Sequence, residues 1–380
     1  MTNQEKAPSR CGAALDIGTT TVQAQLVNLD TYETLETFSA LNNQRIFGAD
    51  VMSRISAARD GKLDELFSAI NNQTKNILKQ FIIKRNLDNI EKCNVSGNTT
   101  MLHLFCRADP SAMGVVPYTP SFLEERYFTA KDLSLSAEKV MLLPGISAFI
   151  GADIVAGLAF LDIVSKGKDA LFVDIGTNGE MAVWKEKEKR FFCCSTAAGP
   201  CFEEAEISCG LRASDFINAI AYMIHKSVIN ETGALTEKFL NTGFPLNSFN
   251  SCATSNHMED KVITQKDIRH FQLAKSAIYS GIKLLCKTAS MDLTKIDAAY
   301  IAGGLGTALN FENAAITGLL PVEIIDKASA CGNTSLMGAA KSLTDPSFLQ
   351  HCREVIARAE IAELANDKYF AAAFAHNMSF

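Results

Sequence analysis

Ala14-Leu15-Asp16-Ile17-Gly18-Thr19-Thr20 and Phe172-Val173-Asp174-Ile175-Gly176-Thr177-Asn178 are one phrase written twice, with the two aspartates 158 residues apart in a chain of 380. Each copy is an apolar, β-branched run, the pattern of a buried strand, that delivers a carboxylate to its end. The glycine that follows lets backbone approach an anion, and the hydroxyl and amide groups beside it supply donors. The separation is about one domain length. Two such units facing each other across a cleft would grip one polyphosphate and its magnesium from both sides. A lone strand-end aspartate reads as a turn or cap; the repetition in one frame points to function.

Bulk properties narrow the class. Hydrophobic content of 47% and charged content of 21% are those of an ordinary globular protein. A net charge of −6, with no basic cluster, argues against a nucleic-acid surface. Apolar runs such as 155–160 are too short to span a bilayer. The first ten residues are polar and charged, unlike a secretory leader, so a cytoplasmic enzyme is expected. Eleven cysteines include no C-x-x-C pair. Cys193, Cys194, Cys201 and Cys209 form the one local group, read as reduced, buried residues or as a redox site.

Outward from the first phrase, Thr21 to Asn28 alternates as a half-buried strand, and helices are predicted over 50–58 and 62–85. Ile90 to Val95 reads as a strand, after which Gly97-Asn98-Thr99 is either a helix cap or an anion site. Residues 109–128, with three of the nine prolines, read as an extended surface segment, functional or partner-facing. Gly151 to Val164 and the helix holding Gly338-Ala339-Ala340 are rich in small residues, which suits close packing of two lobes. Thr264 is placed to cap a long helix over 265–288. Ala298 to Ile301 runs as a strand into Ala302-Gly303-Gly304-Leu305-Gly306, and the aromatic tail after Tyr369 calls for burial against the body or a partner.

Three motifs in this order resemble those of the acetate kinase, sugar kinase, Hsp70 and actin superfamily. They are Asp16 to Thr20 for the first phosphate motif, Asp174 to Glu180 for the second, and Ala302 to Gly306 for adenosine. Within it, the stretches 40–51, 97–103, 173–180, 195–200 and 273–275 are similar to the ATP-binding domain of reductive activators of corrinoid enzymes. The likeness runs from about Gly12 to near the C-terminus. It implies an α/β, duplicated RNase H-like fold of two lobes, with mixed sheets flanked by helices around a nucleotide cleft. The first lobe would hold 11–165 and 333–380, the second 166–332.

The resemblance also implies a chemistry. Such proteins use ATP to help reduce an inactive cob(II)amide on a partner protein to cob(I)amide. Asp16 and Asp174 would hold Mg²⁺ through waters and position the attacking water, with Glu180 and Asp153 as further acids. Gly18, Thr19, Thr20, Gly176, Thr177, Asn178 and Gly179 would bind phosphate, and Gly303, Gly304 and Gly306 adenosine. Lys275 would lie along the adenine, or else on a solvated helix face. Asp153 reads equally as a helix cap. Ser195 to Pro200 would meet the partner's cofactor region or form a plain loop. Relatives usually carry an iron–sulfur ferredoxin domain ahead of the first motif, where about ten residues stand in this sequence, so no iron–sulfur cluster is expected here, and a separate ferredoxin-like donor and a homodimer are. A small-molecule kinase, a non-enzymatic actin-like regulator, and a dehydratase activator with a cluster at Cys201 or Cys209 are the alternatives.

Overall fold

The first repeat becomes β1 (Cys11–Ile17), in which every residue but Asp16 is buried. Neighbours on both sides and layers on both faces explain why it reads as a continuous apolar run. The computed structural model describes residues 10–198, 202, 211–248, 261–305, 308–365 and 367–380. It divides into two units, Met1–Ser165 with Asn333–Ala359 and Lys166–Gly332 with Glu360–Phe380.

In the first unit β1 pairs antiparallel with β2 (Thr21–Asn28), which pairs with β3 (Thr34–Leu41). On its other side β1 runs parallel to β4 (Ile90–Gly97). Beyond lie β5 (Arg126–Thr129) and β6 (Ala137–Leu142), giving the order β3-β2-β1-β4-β6-β5. Helix α1 (Val51–Ala57) starts at a capping box between Asp50 and Ser53. Helix α2 (Leu63–Arg85) turns Leu66, Ile70, Ile77, Leu78 and Phe81 into the core, as its spacing predicts, and ends at left-handed Asn86. Then come α3 (Thr99–Phe105), α4 (Ala130–Leu133) and α5 (Ala152–Phe160).

The second unit repeats the plan. A meander of β7 (Ala170–Ile175), β8 (Gly179–Lys185) and β9 (Arg190–Thr196) is followed by α6 (Ala213–His225) and α7 (Glu237–Leu240). A short pair, β10 (Phe244–Pro245) and β11 (Val262–Ile263), precedes α8 (Gln265–Thr288). Thr264 caps α8 as expected, reciprocally with Asp267. After β12 (Ala298–Ala302) come α9 (Phe311–Ile316) and β13 (Ala328–Gly332). The order β9-β8-β7-β12-β13 matches β3-β2-β1-β4-β6, with β7, β12 and β13 mutually parallel.

The chain then returns to the first unit as α10 (Thr334–Thr344) and α11 (Phe348–Ala357). Here the small residues act within one unit. A Cβ on Gly338 would sit 2.6 Å from the Ala156 carbonyl oxygen, so α10 lies directly against α5. The expectation that these helices join two lobes is corrected: both belong to the first unit. The expectation that 333–380 stays in the first lobe is corrected too. Residues 360–380 belong to the second unit, where β14 (Ala359–Ile361) extends the sheet beside β9. There α12 (Lys368–His376) lies on α8, with Ser276 Oγ donating to the Phe374 carbonyl and Asn377 Nδ2 to Ser280 Oγ. The half-buried tail thus packs on its own chain.

Candidate active site

In the first unit the candidate site residues lie on the β1–β2 turn and at the ends of β4 and α5. Gly18 N–H donates to the Thr21 carbonyl at 3.0 Å, which closes the turn. Asp16 stands beside Ser96 of β4 in register. Its two oxygens accept from Asn333 Nδ2 and Ser335 Oγ, both at 2.7 Å, and Ser335 Oγ is 2.9 Å from Ser96 Oγ. Asn333 also caps α10 through the Leu336 amide, so the start of that helix and the orientation of Asp16 are set by one side chain.

Asp153 occupies the first turn of α5, where its carboxylate accepts the Ile154 amide at 2.9 Å. The helix cap itself is Gly151. Asp153 keeps some exposure, yet loss of solvent, reinforced by the charge of Asp16, pushes its carboxyl up to about 7. Asp16 is raised as well by burial, but Asn333 and Ser335 oppose this. Near neutral pH a substantial fraction of Asp153 is therefore protonated. Gly97-Asn98-Thr99 resolves as a cap: Asn98 Oδ1 accepts the Met101 amide at 3.0 Å, while its Nδ2 reaches Thr19 Oγ1.

In the second unit the equivalent turn follows β7. Asp174 faces Glu180 across the β7–β8 ladder, and Ile175 faces Gly179. Gly176 N–H donates to the Asn178 carbonyl at 3.0 Å, closing a tight turn that holds Thr177 in a buried position. Glu180 is 8% exposed. Gly179 packs against Ile278 of α8, and its carbonyl accepts Thr196 Oγ1. Gly303 follows β12 at φ +89°, and a Cβ there would fall 2.7 Å from Asp174 Oδ1. Glycine at 303 thus admits both the backbone turn and the Asp174 carboxylate. Gly304 is exposed with open space around it, and Gly306 lies outside the described residues.

Lys275 is 2% exposed, which rules out the solvated-face reading. Its Nζ donates to the Ser379 carbonyl and sits 4.7 Å from the Phe380 ring centre. Burial lowers its pKa to about 8. Ser195 and Thr196 belong to β9, whereas Gly199, Pro200, Cys201 and Cys209 lie outside the described residues. Cys193 and Cys194 are buried in β9, and burial raises both thiols, Cys193 to about 12. Such thiols are poor nucleophiles.

Asn333 and Ser335 were not among the residues singled out by sequence, nor were Asn42 and Arg54. The signal present in the sequence was the polar Asn333-Thr334-Ser335 at the start of a small-residue helix, whereas the complete burial of Arg54 emerges only from the structure.

The fold and the paired turns define a duplicated α/β protein of the ASKHA class. A family model described as the RACo middle region matches residues 11–166, and one described as the C-terminal domain of RACo, the ASKHA domain, matches 168–217 and 214–380. The chain belongs to the RACo family. It is 29% identical to the "Corrinoid activation enzyme RamQ" of Eubacterium limosum, over all of this chain and 72% of that protein. It is 26% identical to the "[Co(II) methylated amine-specific corrinoid protein] reductase" of Methanosarcina barkeri, over 90% of this chain and 72% of that one. A solved "Reductive activator for corrinoid,iron-sulfur protein" superposes with a TM-score of 0.88 at 28% identity, covering 99% of this chain and 67% of its own.

Proposed function

We propose that this protein is an ATP-hydrolysing reductive activator of a corrinoid protein. One observation carries the reading: the duplicated strand–turn–strand unit, each copy ending on an aspartate, in a chain matched along its length by activator-family models. The Gly18-Thr19-Thr20 and Gly176-Thr177-Asn178-Gly179 turns contact the phosphates of one ATP, and Gly303, Gly304 and Gly306 its adenosine. Lys275 contributes at the adenine once the Ser379 contact is given up.

Magnesium fits the donor set as an ion that keeps its waters. Both oxygens of Asp16 already accept a hydrogen bond, and among the described residues no group of three or more His, Cys, Asp or Glu is placed to hold a metal. Asp16 and Asp174 would hold it through water. When bound, it neutralises charge on the phosphates. Asp153, with its raised pKa, is suited to exchange a proton near neutral pH, and Glu180 supports the second turn.

The chemistry balances as two linked events. ATP and water give ADP and phosphate, while one electron from a ferredoxin-like donor takes Co(II) to Co(I) on the partner. Raising an electron by 100 mV costs about 2.3 kcal/mol. Coupling between two sites is ordinarily about 1–3 kcal/mol, so nucleotide-dependent bias is of the right size without phosphorylating the partner. The active form is proposed to be a homodimer. Among the described residues no helix is long and apolar enough to cross a membrane.

The test is ATP turnover with and without a cob(II)amide protein and a low-potential reductant, followed by visible spectroscopy. Stimulated turnover with appearance of cob(I)amide is expected. Turnover that responds to sugars or carboxylates and ignores the corrinoid protein would replace this reading with a small-molecule kinase.

A further inference from the structure

Three backbone carbonyls of the first phosphate turn are held from behind by two residues in the segment after β3. Asn42 Nδ2 donates to the Gly18 carbonyl at 2.8 Å, and the Asn42 backbone N–H to the Thr20 carbonyl at 2.7 Å. Between them, Arg54 Nη2 donates to the Thr19 carbonyl at 2.5 Å. Arg54 comes from α1 and is completely buried. Its other hydrogen bonds run from Nε to the Gly48 carbonyl at 3.0 Å and from Nη1 to Met101 Sδ at 3.1 Å. None of these acceptors is a carboxylate. Burial lowers its pKa only to about 10, so the guanidinium stays charged at neutral pH.

A buried cation hydrogen-bonded to carbonyls and a thioether, with the Asp50 carboxylate acting on it only through space, is a costly way to fill space. What it supplies is orientation and field. In a trans peptide the N–H points opposite to the C=O, so holding the Gly18 and Thr19 carbonyls fixes the direction of the Thr19 and Thr20 amides. The positive charge behind the turn adds attraction for an anion in front of it, across a medium that screens poorly. Dipoles fixed beforehand cost nothing to arrange when the anion arrives.

We propose that Arg54, assisted by Asn42, is the positioning residue of the first phosphate turn, acting on the nucleotide through the Thr19 peptide rather than by touching it. This rests on the ATP-binding reading above. The test compares ATP and adenosine affinities, by displacement of a fluorescent ATP analogue, for the unaltered chain, Arg54→Gln, Arg54→Lys and Asn42→Ala, each checked for a cooperative thermal transition. The expected result is at least a tenfold loss of ATP affinity in Arg54→Gln, a smaller loss in Asn42→Ala, partial recovery in Arg54→Lys, and adenosine affinity within twofold throughout. A folded Arg54→Gln or Asn42→Ala that binds ATP normally, or that loses adenosine in proportion, would overturn the proposal. Failure of both to fold would assign the set to stability and overturn it equally. No ATP binding by the unaltered chain would remove the underlying reading, and this inference with it.

Discussion

Asp16 accepts two side-chain hydrogen bonds that oppose the effect of its burial, while Asp153, which accepts a neighbouring amide, is raised by loss of solvent and by the charge of Asp16. Folding raises the Asp153 carboxyl from its ordinary 3.8 to about 7. The folded state therefore retains a proton that the unfolded chain releases, and the stability this provides is complete below about pH 4 and lost as pH rises through about 7. Asp153→Asn should flatten that slope, gaining on the order of 2 kcal/mol relative to the unaltered chain between pH 5 and pH 8. Urea midpoints at the two pH values measure it; parallel pH dependence in both proteins would contradict the assignment. At this scale the two repeated aspartates were legible because their pattern recurs in one stretch of sequence. Asn333 was not, since a short polar side chain 317 residues from Asp16 announces neither its partner nor its role.

Helices with strong local signals were legible nearly to the residue. Thr264 and Asp267 mark the start of α8, and Asp50 that of α1. Strand β13 escaped because Ala328-Ser329-Ala330-Cys331-Gly332 has no apolar alternation; pairing with β12 makes it a strand. The small residues of α5 and α10 signalled close packing but not the unit in which it occurs. Gly338→Val tests that contact. A branched side chain cannot enter where a single Cβ already meets the Ala156 carbonyl, so a loss of about 1–3 kcal/mol is expected from denaturant unfolding. Wild-type stability in this variant would mean that α10 does not lie on α5.

For the whole molecule, duplication is the organising fact: two sheets share the order of five strands, and each supplies a turn with one aspartate at its base. The aromatic tail showed where composition stops informing. Its apolar residues demanded a surface, and the chain uses α8 of the second unit, a choice set by hydrogen bonds from Gln272, Lys275 and Ser276 and by one from Asn377 to Ser280. The proposed function requires both copies to serve a single nucleotide. Titration calorimetry with Mg²⁺ and ATP on the unaltered chain, Asp16→Asn and Asp174→Asn tests it most directly. One ATP per chain is predicted, with affinity reduced at least tenfold by either substitution. Two independent equivalents per chain, or an unchanged affinity in either variant, would contradict the account.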